Sequence, residues 1–333
     1  MKPTRHAIAL SVGAVVLLLA LLAVRPQLGG HVGEALDVLG GASRPWLTLA
    51  FAAFLAAFLC TVAAWRAAFA SAGARIPPFQ AAARLAVGSL VNAFAPAKLG
   101  DAVKIALWSR AIDSPGRLWT AGGAYAALTA TRSLTLASVV VVASATGAVP
   151  LWPVFLLVGG AACVALAATA SSRIRRHPRL ATLLAGIAAL VRSPRALAAV
   201  VAWTAGMQLA RLAGTVAAAS ALGLPHPLLA ALVILPALDL AGAIPLTPGS
   251  IGIGSGAVAV ALASRGIGTT QALAVGLAIQ GVETLVSVSC GSLGVAYLVE
   301  PSPRVSRAVS RVAVVGGSAC IAAVVGFVVS ALV

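Results

Sequence analysis

Long apolar runs, separated by short clusters of arginine, proline and glycine, fill most of the chain. Seven of these runs are close to or above the roughly 20 residues with which an α-helix crosses a bilayer. The predicted spans cover residues 7–24, 46–65, 118–145, 150–170, 195–222, 269–298 and 312–333. The pattern therefore predicts an all-α, polytopic membrane protein with about seven transmembrane helices.

Two further apolar stretches, 79–110 and 227–265, are interrupted by proline and glycine. In the first, Pro96 precedes Gly100, and in the second, Pro248 precedes Gly252. A proline with a glycine four residues later does not fit inside one continuous helix. Each stretch is therefore predicted to form two short helices that enter the membrane and return, as a re-entrant hairpin. Broken backbone is tolerated at membrane depth only where protein or a water-filled cavity surrounds it, so both breaks are candidate sites.

The two broken stretches also resemble each other. Both contain a proline, three residues and a glycine, and the segment 109–114 is echoed by the segment 264–269. With the spans above, the first hairpin enters from the inside and the second from the outside. We therefore predict an inverted repeat with halves of about 46–145 and 195–298, inside a single integral membrane domain covering residues 1–333. The matching segments are short and low in complexity, so chance similarity is the alternative.

Composition fits this organisation, and the charges orient it. The chain is 61% hydrophobic and 9% charged, with a net charge of +16. The arginines lie mostly between spans, so the positive-inside rule explains them and nucleic-acid binding is not expected. With the N-terminus cytoplasmic and the C-terminus outside, sixteen of the 23 lysines and arginines lie inside, three outside and four within the membrane. The predicted location is the cell membrane, with the run 7–24 retained as a helix; its cleavage as a secretory signal is the alternative.

Several ionisable residues fall inside the predicted spans and hairpins. They are Lys98, Asp101, Lys104, Arg132, Arg211, Asp239 and Glu283. An unpaired charge costs roughly 2.5–3.5 kcal/mol at the centre of a membrane helix, so these side chains are predicted to face the protein interior. Arg132 is predicted to pair with Glu283. Asp101 is predicted to pair with either Lys98 or Lys104, the latter three residues later on the same helix face. Ion pairs that only neutralise charge or clamp the two halves are the alternative to a ligand-binding role.

The breaks have the chemistry of a phosphate site. Helix N-termini exposed there present N–H groups and a partial positive charge, and Lys98 and Lys104 add full charges. The glycines of the second break either let the backbone approach a ligand or pack helices tightly. The predicted substrate-binding residues are Asn92, Pro96, Lys98, Gly100, Asp101, Lys104, Arg132, Arg211, Asp239, Pro248, Gly249, Gly252, Gly254 and Glu283.

Catalytic and metal-binding patterns are weak. The four cysteines and four histidines show no metal-ligand spacing, no nucleophile has a base partner nearby in sequence, and we predict no cofactor, no metal and no catalytic residue. The only paired carboxylates, Glu34 and Asp37, lie in a predicted short outer loop. Such carboxylates serve membrane glycosyltransferases that use polyprenyl-phosphate donors. A membrane enzyme or accessory subunit that handles polyprenyl-phosphate-linked sugars is therefore the alternative function, and a solvated loop is the simpler interpretation.

The segment VNAFAPAKLGDAVKIALWSR resembles the lysylphosphatidylglycerol synthase transmembrane-region family, the flippase-like membrane domain of the multiple peptide resistance factor. The family pattern of Asn, Pro and a small basic element before Gly-acidic-x-x-basic is matched by Asn92, Pro96, Lys98, Gly100, Asp101 and Lys104. The later segment IPLTPGSIGIGSGAVAVALASRGI is similar to the second signature of the family, and Arg132 fits a further position. Glu283 departs from the pattern, because a basic residue is expected there. The resemblance covers roughly residues 5–330.

This resemblance implies a flippase-like lipid transporter and not an enzyme. Bifunctional members carry a soluble aminoacyltransferase domain after the membrane part, and the sequence ending at Val333 is expected to lack it. The implied partner is a membrane phospholipid, anionic or aminoacylated, or a polyprenyl-phosphate lipid. A homo-oligomer or a separate synthase would be a further partner. A scaffold that binds lipid without moving it is the remaining interpretation.

Overall fold

The structure, a computed structural model, describes residues 26–94, 99–112, 116–150, 155, 188–243 and 252–298, and within them it is α-helical without strands. The helices with described bounds are α1 (Pro26–Gly40), α2 (Arg44–Ser71), α3 (Pro78–Phe94), α4 (Leu99–Ser109), α5 (Arg117–Ala145), α6 (Pro194–Ala221), α7 (Pro227–Ala243), α8 (Ile253–Ala263) and α9 (Thr269–Leu298). The predicted all-α class is thus confirmed for the described part of the chain.

Four helices are long and apolar enough to cross a membrane, namely α2, α5, α6 and α9. They match four of the seven predicted spans. The other three, 7–24, 150–170 and 312–333, lie outside the described residues apart from residues 150 and 155. The count of seven therefore stays a prediction, while a multi-pass membrane protein follows from the four helices.

Local sequence explains where two of these long helices begin and end. Both α2 and α6 follow a serine and carry a proline in the first turn, where the missing N–H costs no helical hydrogen bond. After their last turns, Gly73 and Gly223 adopt φ of +90° and +67°. Glycine is the residue that takes this left-handed conformation without strain, so the chain can leave each helix sharply.

Each interrupted stretch forms two short helices, as predicted. α3 ends at Phe94 and packs against α4, and α7 ends at Ala243 and packs against α8. The residues between them, 95–98 and 244–251, lie outside the described part, and with them Pro96, Lys98, Pro248 and Gly249. The return of each hairpin to the side from which it enters stays a prediction.

The helix lengths recur along the chain. Helices α2 to α5 have 28, 17, 11 and 29 residues, and α6 to α9 have 28, 17, 11 and 30. The backbone N–H of Ser43, before α2, donates to the carbonyl of Ala221 at the end of α6, 2.9 Å away, so the two long helices run antiparallel. Both features support the predicted inverted repeat, which itself stays a prediction.

The prediction of an outer loop around Glu34 is wrong, because residues 26–40 form α1. Ala35 is fully buried and Leu39 packs against the same core cluster. These two residues are one helical turn apart, so they give the segment an apolar side that packs on α9. Glu34 and Asp37, the charged residues assigned to that loop, lie on the exposed part of the helix.

Close packing joins the first hairpin to the second half. On α9, a Cβ atom added at Gly294 would lie 2.8 Å from the carbonyl oxygen of Ala83 in α3, and one at Gly291 would lie 2.5 Å from the Cβ of Leu90. Trp108 of α4 is fully buried and packs against Trp65 and Phe69 of α2, with ring centroids 5.2 and 4.8 Å apart. These contacts hold the first hairpin between α2 and α9.

We expect Gly294→Ala to lower stability by about 1–3 kcal/mol, because the new methyl group overlaps backbone that cannot rotate away. Gly281→Ala is the matched control on the same helix, since Gly281 is exposed and has no neighbour within 4 Å of an added Cβ. Thermal unfolding of both variants in detergent measures the difference. Equal melting temperatures for the two variants would contradict the close α3–α9 contact.

Candidate functional site

A cavity of about 640 Å³ lies between the two predicted halves. Its walls come from α2, α3, α4 and α5 on one side and from α6, α7 and α9 on the other. The volume falls within the range of roughly 300–1,000 Å³ that is usual for ligand pockets. The cavity can therefore accommodate a group of the size of a lipid headgroup.

Six of the ionisable residues that the sequence singled out line this cavity. They are Asp101, Lys104, Arg132, Arg211, Asp239 and Glu283, and Asn92 lies among them. Three cations thus face three carboxylates within the described lining. Their position at a cavity between helices agrees with the prediction that intramembrane charges point into the protein interior.

Asp101 joins three helices. Its Oδ1 accepts hydrogen bonds from Nδ2 of Asn92 on α3 at 2.8 Å and from Nζ of Lys104 on α4 at 3.0 Å. Its Oδ2 accepts a hydrogen bond from the hydroxyl of Tyr125 on α5, also at 3.0 Å. Of the two predicted partners of Asp101, Lys104 forms the ion pair, and Lys98 lies outside the described residues. Both carboxylate oxygens have donors, so the charge of Asp101 is well compensated inside the membrane.

Tyr125 was not predicted from the sequence. A single phenol in an apolar span carries no charge, and its spacing shows no relation to Asp101, which lies 24 positions earlier. Its ring lies beside the ring of Trp65, with centroids 5.6 Å apart. The aromatic packing fixes the hydroxyl group where it can reach the carboxylate.

The second charged cluster is centred on Asp239. Nη1 of Arg211 lies 2.9 Å from both Oδ1 and Oδ2 of Asp239, and Nη2 of Arg132 lies 3.0 Å from Oδ1 alone. Nη2 of Arg211 lies 3.8 Å from Oε1 of Glu283. The predicted direct pair of Arg132 with Glu283 is therefore wrong. Arg132 on α5 contacts α7, and Arg211 on α6 is the cation closest to Glu283 on α9.

The side chains of the four members of this cluster differ in how far they are exposed. The side chains of Arg211 and Asp239 are only 11% and 10% exposed. Those of Arg132 and Glu283 are 51% and 38% exposed. Arg211 and Asp239 thus form an enclosed pair, while Arg132 and Glu283 are the more exposed members of the cluster, and both line the cavity.

The remaining walls combine aromatic rings with hydroxyl groups. Phe54, Phe58 and Trp65 supply apolar surface, and Thr61 and Thr204 line the cavity while donating hydrogen bonds to carbonyls of their own helices. A wall of this kind suits a ligand with a polar group and an apolar remainder.

Three predicted glycines have a packing role or a backbone role. Gly100 lies against the carbonyl of Gly88 and the side chain of Asn92, and Gly254 lies against the side chain of Gln280. Gly252 has φ of +86° at the residue before α8, where a left-handed conformation starts the helix. None of the three lines the cavity, so for them the packing alternative is supported.

The carboxylates of the alternative enzyme hypothesis lie away from the cavity. Glu34 and Asp37 are exposed on α1, and Oε2 of Glu34 accepts a hydrogen bond from the hydroxyl of Thr270 at 3.0 Å. Among the described residues, no group of three His, Cys, Asp or Glu side chains is placed to hold a metal ion.

Comparison with known protein families gave a match over most of the chain. The model of the family described as lysylphosphatidylglycerol synthase TM region matches residues 7–291. No curated protein and no solved structure matches the chain. The matched residues include both hairpins and every described residue of the charged cavity.

Proposed function

The chain belongs to the lysylphosphatidylglycerol synthase transmembrane-region family, and on that premise we propose that it moves an anionic or modified phospholipid between the leaflets of the cell membrane. The headgroup would occupy the charged cavity during transfer. The observation that carries this proposal is the cavity itself, with ionisable residues contributed by both predicted halves.

The chemistry of the cavity supports a headgroup as its occupant. A phosphodiester carries one negative charge that loses its hydration when it enters the membrane, and this loss has to be offset by cations or hydrogen-bond donors. Lys104, Arg132 and Arg211 are such cations, and half of the Arg132 side chain is accessible. The aromatic wall formed by Phe54, Phe58 and Trp65 offers apolar surface to the adjoining part of the lipid.

The partners and the orientation are part of the same proposal. The partner is a membrane phospholipid, with a second copy of the chain or a separate synthase as further candidates. The N-terminus lies in the cytoplasm and the C-terminus outside, following the excess of arginine on the inner side.

Reconstitution into vesicles tests the function. Purified protein is inserted into vesicles that contain a trace of headgroup-labelled lipid, and the rate at which labelled lipid changes leaflet is followed with a membrane-impermeant quencher. We expect a faster exchange than in protein-free vesicles for at least one anionic or amino-modified phospholipid. Exchange equal to that of protein-free vesicles for every lipid in such a panel would overturn the proposal.

Substitution of the α1 carboxylates separates transport from the enzyme alternative. We expect Glu34→Gln and Asp37→Asn, singly and together, to leave the exchange rate within about twofold, because exposed substitutions distant from a site change free energies by about 0.5 kcal/mol or less. The same vesicle assay measures this. A tenfold loss of exchange in a variant with unchanged thermal stability would contradict this prediction, since the enzyme alternative is the one that requires the α1 carboxylates.

A further inference from the structure

Arg132 and Arg211 hold the same carboxylate in different ways. Arg211 contacts both oxygens of Asp239, each at 2.9 Å, from an enclosed position. Arg132 contacts one oxygen at 3.0 Å, and its side chain is 51% exposed. Asp239 therefore has one enclosed partner with two contacts and one open partner with a single contact.

The number of contacts and the exposure of each arginine determine which of the two can move away from Asp239. If Arg132 moves away, Asp239 keeps both contacts to Arg211 and remains compensated. If Arg211 moves away, Asp239 keeps one contact, and Glu283 loses the cation that lies 3.8 Å from it. Removal of one partner from a buried ion pair is costly because the other charge is left uncompensated. Only Arg132 can change partners without that penalty.

We propose that Arg132 is the exchangeable cation of the site. Its guanidinium group breaks its contact with Asp239 and binds the anionic oxygens of a phosphodiester headgroup instead. Asp239 then acts as an internal competitor for the guanidinium group, and Arg211 keeps Asp239 compensated while the headgroup is bound. This inference rests on the proposed function and names the residue that selects the anionic ligand. A guanidinium group suits the task because its N–H groups can contact two phosphate oxygens at once.

If Arg132 exchanges partners, neutralising Asp239 should increase the affinity for an anionic lipid. A purely structural ion pair predicts no such increase. Asp239→Asn removes the competing charge while keeping an oxygen that accepts a hydrogen bond from Arg211. We expect this variant to bind an anionic lipid about tenfold more tightly, within the range of coupling between contacting residues. The gain should disappear when Arg132→Gln is present as well, because the cation for which Asp239 competes is then absent.

The experiment is a double-mutant cycle in neutral detergent micelles. Acyl-labelled phosphatidylglycerol is the anionic probe and acyl-labelled phosphatidylcholine the zwitterionic comparator, with binding followed by fluorescence anisotropy. A gain in phosphatidylglycerol affinity from Asp239→Asn in the protein that keeps Arg132, and none in the protein that carries Arg132→Gln, supports the exchange. Equal gains in both proteins, or weaker binding of phosphatidylglycerol by Asp239→Asn, overturn it.

Two further measurements keep the outcome interpretable. If Asp239→Asn does not fold, Arg132→Gln and Arg132→Lys decide: a tenfold loss of phosphatidylglycerol affinity in the Gln variant, partly restored by Lys at an unchanged melting temperature, supports the exchange. A fall in melting temperature with unchanged affinity identifies a clamp and overturns it. If neither labelled lipid shows a higher anisotropy with the unsubstituted protein than in protein-free micelles, the proposed function is contradicted. Equal affinity gains in the two arms of the cycle contradict the exchange alone.

Discussion

Replacing Arg211 with glutamine is expected to cause the largest loss of stability of any substitution in the site, about 3–5 kcal/mol, which is typical when one partner of a buried ion pair is removed. The substitution removes both contacts of Arg211 to Asp239 and the cation that lies 3.8 Å from Glu283. It leaves Asp239 with its single contact to Arg132. Thermal unfolding in detergent, followed by size-exclusion chromatography of heated samples, measures the effect.

The same helix offers a control for this substitution. Arg195→Gln lies near the start of α6, where the side chain is exposed, and should change stability by about 0.5 kcal/mol or less. A double variant, Arg211→Gln with Glu283→Gln, returns the cluster to one cation and one carboxylate and should regain part of the lost stability. If Arg211→Gln melts at the same temperature as Arg195→Gln, the charge network does not stabilise the fold as described.

Asp101→Ala is expected to have the second-largest effect, a loss of about 3 kcal/mol, because one carboxylate accepts three hydrogen bonds, one of them from a cation. The donors belong to α3, α4 and α5, so the substitution should also loosen the first hairpin against α5. Since Asp101 and Lys104 line the cavity, lipid exchange should fall at least tenfold. Melting temperature and the vesicle assay measure the two consequences.

Tyr125→Phe provides the graded comparison for Asp101→Ala. It removes one neutral donor to Oδ2 and preserves the ring that packs on Trp65, so we expect a loss of about 1 kcal/mol. The melting temperature should be lowest for Asp101→Ala, intermediate for Tyr125→Phe and highest for the unsubstituted protein. A Phe variant as unstable as the Ala variant would show that aromatic packing, and not the carboxylate, holds these helices together.

Much of the fold was predictable because hydrocarbon imposes strict rules on a chain. The long apolar runs predicted α5, α6 and α9 to within one residue at each end and α2 except for its first two and last six residues. Proline with glycine indicated that each hairpin consists of two helices. The segment 26–40 was misjudged as a loop, because it lies between two apolar runs and carries charged residues. Its helix depends on the packing of Ala35 and Leu39 against a core that is formed by distant parts of the chain.

The site was predicted in its composition and only partly in its connections. Burying an unpaired charge in the hydrocarbon core costs free energy, and this indicated that four charged side chains face the protein interior. They are Arg132, Arg211, Asp239 and Glu283. Which cation meets which carboxylate depends on the neighbours of each helix and on its rotation, and one sequence gives neither. The pair of Asp101 with Lys104 was one of two predicted for this carboxylate, because both residues lie on one helical turn. Arg132 and Asp239, by contrast, lie 107 positions apart.

The glycine contact between α3 and α9 also limits how the protein can move. Gly291 and Gly294 bring the two backbones together without side chains that could rearrange between them. Such a seam permits small sliding displacements and resists separation, as in shear motions between packed helices. In any alternation of the cavity between the two leaflets, α3 and α9 should therefore stay together, and the larger displacements should occur at the helices farthest from this contact.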